Sequence, residues 1–142
     1  MTTIKQLLGT SWRLETYQSE DVNGDIIYPL GKDAYGTIIF TNEQEMAVQI
    51  MANNREKNMS DELLNLYNTE TEKQMAQFGY HAYSGPFDIN EEKSQLTTHV
   101  KMSLLKAYVD SEQTRAAEID GDTLHLSNVK HPERKLVWKR IK

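Results

Sequence analysis

The sequence predicts an all-β fold, an antiparallel barrel of eight or nine strands with one helical insertion, and three observations carry that expectation. Runs rich in β-branched and aromatic residues recur along the chain, tight-turn residues separate several of them, and one stretch alone shows helical spacing. Closing such a sheet removes its unpaired edges, and a barrel of about eight strands leaves room inside for one small ligand.

Ile4 to Leu8 reads as a single helical turn that Gly9 ends. A strand follows from about Thr10 to Ser19, with Trp12, Leu14 and Thr16 on one face. Asn23-Gly24 tolerates the positive φ of a tight hairpin turn, so the first strand is expected to pair with Asp25 to Tyr28. Past Pro29-Leu30-Gly31, Tyr35 to Thr41 and Glu45 to Met51 form a second hairpin through Asn42-Glu43-Gln44. From Ser60 to Phe78 the residues Leu63, Tyr67, Met75 and Phe78 recur at three-to-four spacing, with Thr71 in the gap. Asp61 and Glu62 fill the first turn, where the helix dipole favours anions. This is read as one amphipathic helix with a break near Asn68. Strand patterns resume at Tyr80 to Ile89, Gln95 to Leu105, Gln113 to Ile119, Thr123 to Val129 and Leu136 to Ile141, and Asp120-Gly121-Asp122 is another tight turn.

No repeat or linker interrupts this series, so residues 1–142 are expected to form one domain, long enough to bury roughly two thirds of its unfolded surface. A net charge of -5 argues against nucleic-acid binding, which needs clustered cations to displace counterions. The basic run Lys135, Lys139, Arg140 and Lys142 alternates with apolar residues, as the charged outer face of a strand does. The absence of cysteine excludes disulfides and thiolate chemistry and suits a reducing compartment. Met1 to Gly9 is too short and polar for a signal core, and no apolar run reaches membrane-spanning length, so a cytoplasmic location with no membrane partner is expected. His81, His99, His125 and His131 show no ligand-pair spacing, no phosphate-binding glycine loop occurs, and neither metal nor cofactor is expected.

Gly9-Thr10-Ser11-Trp12-Arg13-Leu14, Tyr28 to Gly36, Tyr83-Ser84-Gly85, His99 to Leu104, Gln113-Thr114-Arg115 and Asp120 to Leu124, in that order, resemble the lipocalin-like domain family over nearly the whole chain. The resemblance implies a calycin-type barrel but no single activity, since some fungal relatives accompany secondary-metabolite pathways as cyclases or isomerases. Between the His and Gln positions, where relatives tend to carry an acidic residue, proline, asparagine and glycine, this chain has Lys101, Lys106, Ala107 and Asp110, which predicts a loop of different shape and charge.

Among candidate site residues, Arg115 shares a strand face with Gln113, Ala117 and Ile119, the face expected to point inward. A buried guanidinium needs a carboxylate partner or a ligand anion or carbonyl, and the structural and ligand-binding readings are evenly weighted. Val100, Met102 and Leu104 would ordinarily claim the core and leave His99, Lys101 and Ser103 outside. The resemblance, with its His and Ser beside an inward Arg, favours His99 and Ser103 in the pocket instead. Tyr83, on a face with His81 and Gly85, is either a phenol donor to a ligand or an aromatic girder, an ambiguity that Tyr28, Tyr35 and Tyr108 share. Trp12 and Arg140 are candidates for a structural cation-π closure.

The leading expectation is therefore binding of a small, largely apolar molecule by Arg115, His99, Ser103, Gln113 and Tyr83. The alternative is a cofactor-independent cyclase or isomerase acting on a hydrophobic carbonyl compound, with His99 moving a proton while Arg115 and Tyr83 stabilise an enolate-like charge. A third expectation is an interaction module that docks through the Ser60 to Phe78 helix.

Overall fold

The computed structural model describes residues 3–55 and 59–142. A 3-10 turn at Ile4–Leu7 leads into β1 (Thr10–Glu20), β2 (Ile26–Ile27), β3 (Tyr35–Phe40) and β4 (Glu45–Met51). Two helices, α1 (Asp61–Leu64) and α2 (Glu70–Phe78), precede β5 (Tyr80–Asn90), β6 (Gln95–His99) and β7 (Met102–Ser103). A second 3-10 turn, Lys106–Tyr108, is followed by β8 (Glu112–Asp120), β9 (Thr123–Asn128) and β10 (Lys135–Arg140). The strands pair antiparallel in the order β10-β9-β8-β6-β5-β4-β3-β1, and β1 pairs back onto β10, so eight strands close a barrel. The short β2 extends β1, and β7 lies against β5. The predicted antiparallel barrel is the observed fold. No helix of the described residues is long and apolar enough to cross a membrane.

Strand β1 departs from simple alternation. Its register against β10 slips between Leu14 and Thr16, a β-bulge that turns the following residues over. Trp12 and Leu14 are buried as expected, but Thr16 is exposed, and Tyr17 and Ser19 take the inward places instead. The bulge thus puts a phenol, not a threonine, inside the barrel. At the start of β1, Thr10 Oγ1 donates to the Leu7 carbonyl and accepts from Trp12 Nε1 at 2.8 Å, which ties the N-terminal turn to one barrel end. The Arg140 guanidinium lies 6.0 Å from the Trp12 ring centroid on that same end.

The insertion breaks near Asn68, as expected, into two helices, and of the predicted apolar face Met75 is turned inward. Ser60 caps α1 and Thr69 caps α2, each accepting from a backbone N–H of its own helix. Gly79 ends α2 in the left-handed conformation at φ 64°. Leu63 and Phe78, expected to face the core, are exposed, whereas Glu72 and Met75 are buried. The reason is an ion pair described below, which rotates a carboxylate inward.

The predicted continuous strand from Gln95 to Leu105 is likewise broken. The second half of β5 pairs with β6 (Phe87 opposite Thr98), while its first half pairs with β7 (Tyr83 opposite Ser103). Between them residues 99–101 cross close over Gly85, where any Cβ would collide with the His99 carbonyl oxygen. After the crossing Val100 is buried, but Met102 and Leu104 are exposed, so one apolar alternation in the sequence spans two different faces.

Candidate functional site

The barrel interior is mostly apolar, with Ile38, Val48, Ile50, Leu126 and Leu136 on its wall, and it encloses a cavity of about 40 Å³, room for two or three waters. Polar side chains gather toward the end of the barrel that α2 covers. Arg115 on β8 stands between Leu96 on β6 and Asn128 on β9. Its Nη1 donates to the Thr114 carbonyl at 3.1 Å and its Nη2 to Gln113 Oε1 at 3.3 Å. Tyr83 and Tyr108 line the same cavity as this guanidinium. Among the described residues no carboxylate pairs with it.

Beside Arg115, three rings pack on one another. His81 lies 5.3 Å from both Tyr83 and Tyr108, and the two tyrosines are 5.6 Å apart, with steep edge-to-face angles at Tyr108. Burial, then the nearby Arg115 and Arg134 charges, push the His81 imidazole down to about 3, so it is neutral at pH 7. Burial raises Tyr17 and Tyr83, which keeps both phenols protonated. Desolvation opposes the charge on Arg115, yet its pKa is on balance raised, and the guanidinium is a cation at pH 7.

Arg134 completes the cluster. Its Nη2 donates to Glu72 Oε1 at 2.8 Å and to Thr69 Oγ1 at 2.8 Å, while Glu72 Oε2 accepts from Ser19 Oγ at 2.9 Å. One cation of the cavity is therefore balanced and the other, Arg115, is not. Four residues, Tyr108, Arg115, Asn128 and Arg134, border both the inner cavity and an outer pocket of about 310 Å³, and so form the neck between them. The outer pocket adds Lys130 and His131 against the single carboxylate Glu112.

Polar satisfaction marks the same place. Among the described residues, the buried side-chain atoms without a hydrogen-bond partner are His81 Nδ1, Thr98 Oγ1, Arg134 Nε and Trp138 Nε1, and the residues of all but Thr98 line the inner cavity. Each such group costs on the order of 1–3 kcal/mol when left unpaired, so their concentration in one cavity calls for polar atoms in its occupant.

The structure brings Arg115 and Tyr83 together at the cavity and sets Gln113 behind Arg115 as a positioning residue, its amide also donating to Ser111 Oγ at 2.9 Å. His99 and Ser103 are elsewhere, which corrects the expectation that they line the pocket. His99 Nε2 is 2.7 Å from Asp88 Oδ2 on the outer surface, because the chain leaves the barrel wall directly after it. Ser103 Oγ accepts from the Leu105 backbone at 3.0 Å and borders a shallow outer pocket with Met102 and Leu104. Sequence reasoning missed His81, Tyr17, Arg134 and Trp138 as cavity residues. For His81 a signal existed, since alternation places it with Tyr83, Gly85 and Phe87, all buried.

Among the described residues no group of three or more His, Cys, Asp or Glu side chains is placed to hold a metal ion. In comparison with known proteins, the model of the family described as the lipocalin-like domain matches residues 9–141. No curated protein and no solved structure shows significant similarity to the chain.

Proposed function

The chain belongs to the lipocalin-like domain family, whose barrel typically binds small hydrophobic ligands, and on that footing we propose that this barrel binds a small apolar carboxylic acid, with Arg115 holding the carboxylate. The observation that carries the reading is the uncompensated charge. Arg115 is a cation at the neck of an apolar cavity, among phenols and a neutral imidazole, and among the described residues no carboxylate forms an ion pair with it. A carboxylate there would gain a planar, charged donor pair in a low-dielectric site, while its apolar part meets Leu126, Leu136 and Met75. The free volume is smaller than an alkyl chain, so an occupant must displace Met75, whose unbranched thioether rearranges readily. A location in the reducing cytoplasm is part of this proposal and is consistent with a sequence that carries no cysteine.

Calorimetric titration with octanoate and with 1-octanol tests this. The acid is expected to bind about tenfold or more tightly than the alcohol, and Arg115→Met to erase the difference. Equal affinity for acid and alcohol, or no binding of either, overturns the proposal.

A second reading, cofactor-independent cyclisation or isomerisation of a carbonyl compound, draws support from His81. A neutral imidazole beside Arg115 and Tyr83 combines a proton acceptor with donors for an enolate oxygen, the part first assigned to the outward-facing His99. Under this reading His81→Gln retains binding of an oxo acid, and solvent deuterium exchange at the carbon beside its ketone falls to the uncatalysed rate.

A further inference from the structure

Resting on the carboxylate reading above and deepening it, we infer that the occupant carries a second acceptor oxygen, received by the indole Nε1–H of Trp138, which makes it an oxo acid with a short apolar chain between its two ends. The chain has two tryptophans, both buried, and they differ in one respect. Trp12 Nε1 donates to Thr10 Oγ1 at 2.8 Å, and Trp12 is not part of the cavity wall. Trp138 lines the cavity, is fully buried, and its Nε1–H has no acceptor. An indole nitrogen can only donate, so the missing partner is an acceptor. The strand neighbours of Trp138 are Leu14 and Leu124, whose side chains offer none.

The register sets the spacing. Arg115 is opposite Asn128 on β9, and Trp138 is opposite Leu124 on the same strand. The four residue steps from Leu124 to Asn128 span about 13 Å, of which the long Arg115 side chain covers a part. Leu126 and Leu136, paired with each other, occupy the level between. From neck to floor the cavity therefore reads cation, apolar wall, donor. A plain alkanoate satisfies the first two and leaves the indole orphaned, whereas a ketone oxygen near the far end satisfies all three.

The test uses the wild-type protein and matched probes: hexanoate against 5-oxohexanoate and octanoate against 7-oxooctanoate. The oxo acid of at least one pair is expected to bind about tenfold more tightly, because a buried donor discriminates against a ligand that leaves it unpaired. In the same samples the Trp138 indole proton resonance should move downfield with the oxo acid and not with the alkanoate, while the Trp12 resonance stays in place. Trp138→Phe should remove the oxo preference, so that each oxo acid and its matched alkanoate bind that variant with equal affinity. Equal affinities within both pairs, with binding still lost in Arg115→Met, would overturn the second contact and leave the carboxylate reading standing. Binding of none of the four acids would overturn both.

Discussion

Arg134 and Glu72 form a buried ion pair, Nη2 to Oε1 at 2.8 Å, that seats helix α2 across one end of the barrel. Both side chains are almost fully buried, at 6 % and 1 % exposed, and the carboxylate is further held by Ser19 of β1. Removing one member strands the other charge away from water, which costs about 3–5 kcal/mol, whereas replacing both with apolar residues costs much less. Urea denaturation should therefore show Arg134→Met and Glu72→Leu each strongly destabilised and the double variant substantially recovered. Additive losses in the double variant would mean that the two groups act independently.

Arg115 predicts the opposite response to the same substitution. It has no carboxylate to strand, and its hydrogen bonds go to the Thr114 carbonyl and the Gln113 amide at the neck. Arg115→Met replaces a half-buried cation that has no carboxylate partner with an apolar side chain, so the ligand-free variant is expected to match the wild type within about 1 kcal/mol, while carboxylate binding is lost. A drop of several kcal/mol in the urea experiment would instead make Arg115 a structural residue.

His81 gives a pH dependence with a defined sign. Its pKa falls from 6.5 to about 3 on folding, through burial and the charges of Arg115 and Arg134, with the phenols of Tyr17, Tyr83 and Tyr108 also lining the cavity. The unfolded chain therefore binds the proton first. The stability contributed by neutral His81 is fully present above pH 6.5 and declines as the pH falls toward 3, by about 1.4 kcal/mol per pH unit at most. Urea midpoints of wild type minus His81→Gln between pH 4 and 7 should show this slope, and parallel curves would show that the imidazole is not buried neutral.

The sequence displays the barrel well and its polar interior poorly, for reasons that particular residues make plain. Alternation and turn chemistry mark the strands because half-buried β structure has period two, and Arg115 and Tyr83 emerge from that pattern at the cavity. A β-bulge carries no such signature, so Tyr17 is hidden one position off the expected Thr16. The crossing at residues 99–101 is masked because Val100, Met102 and Leu104 look like one apolar face, and what permits it is Gly85 in β5, fourteen residues before His99. Glu72 and Arg134 read as surface charges individually, since neither shows in sequence that it has the other as a partner 62 residues away.

Met75 controls the space available beside this polar cluster. It is 1 % exposed on α2, forms part of the cavity wall, and its Sδ receives the Tyr17 hydroxyl at 3.7 Å. Truncating it removes buried methylene and sulfur atoms and costs about 2–5 kcal/mol of stability, since the barrel strands cannot collapse onto the vacated volume. The same volume becomes available to a ligand that no longer has to displace a side chain. Met75→Ala is therefore expected to lower the urea midpoint and at the same time to raise affinity for octanoate relative to hexanoate. If the preference between the two acids does not change, the apolar part of the ligand lies outside the barrel in the outer pocket, and Met75 is packing alone.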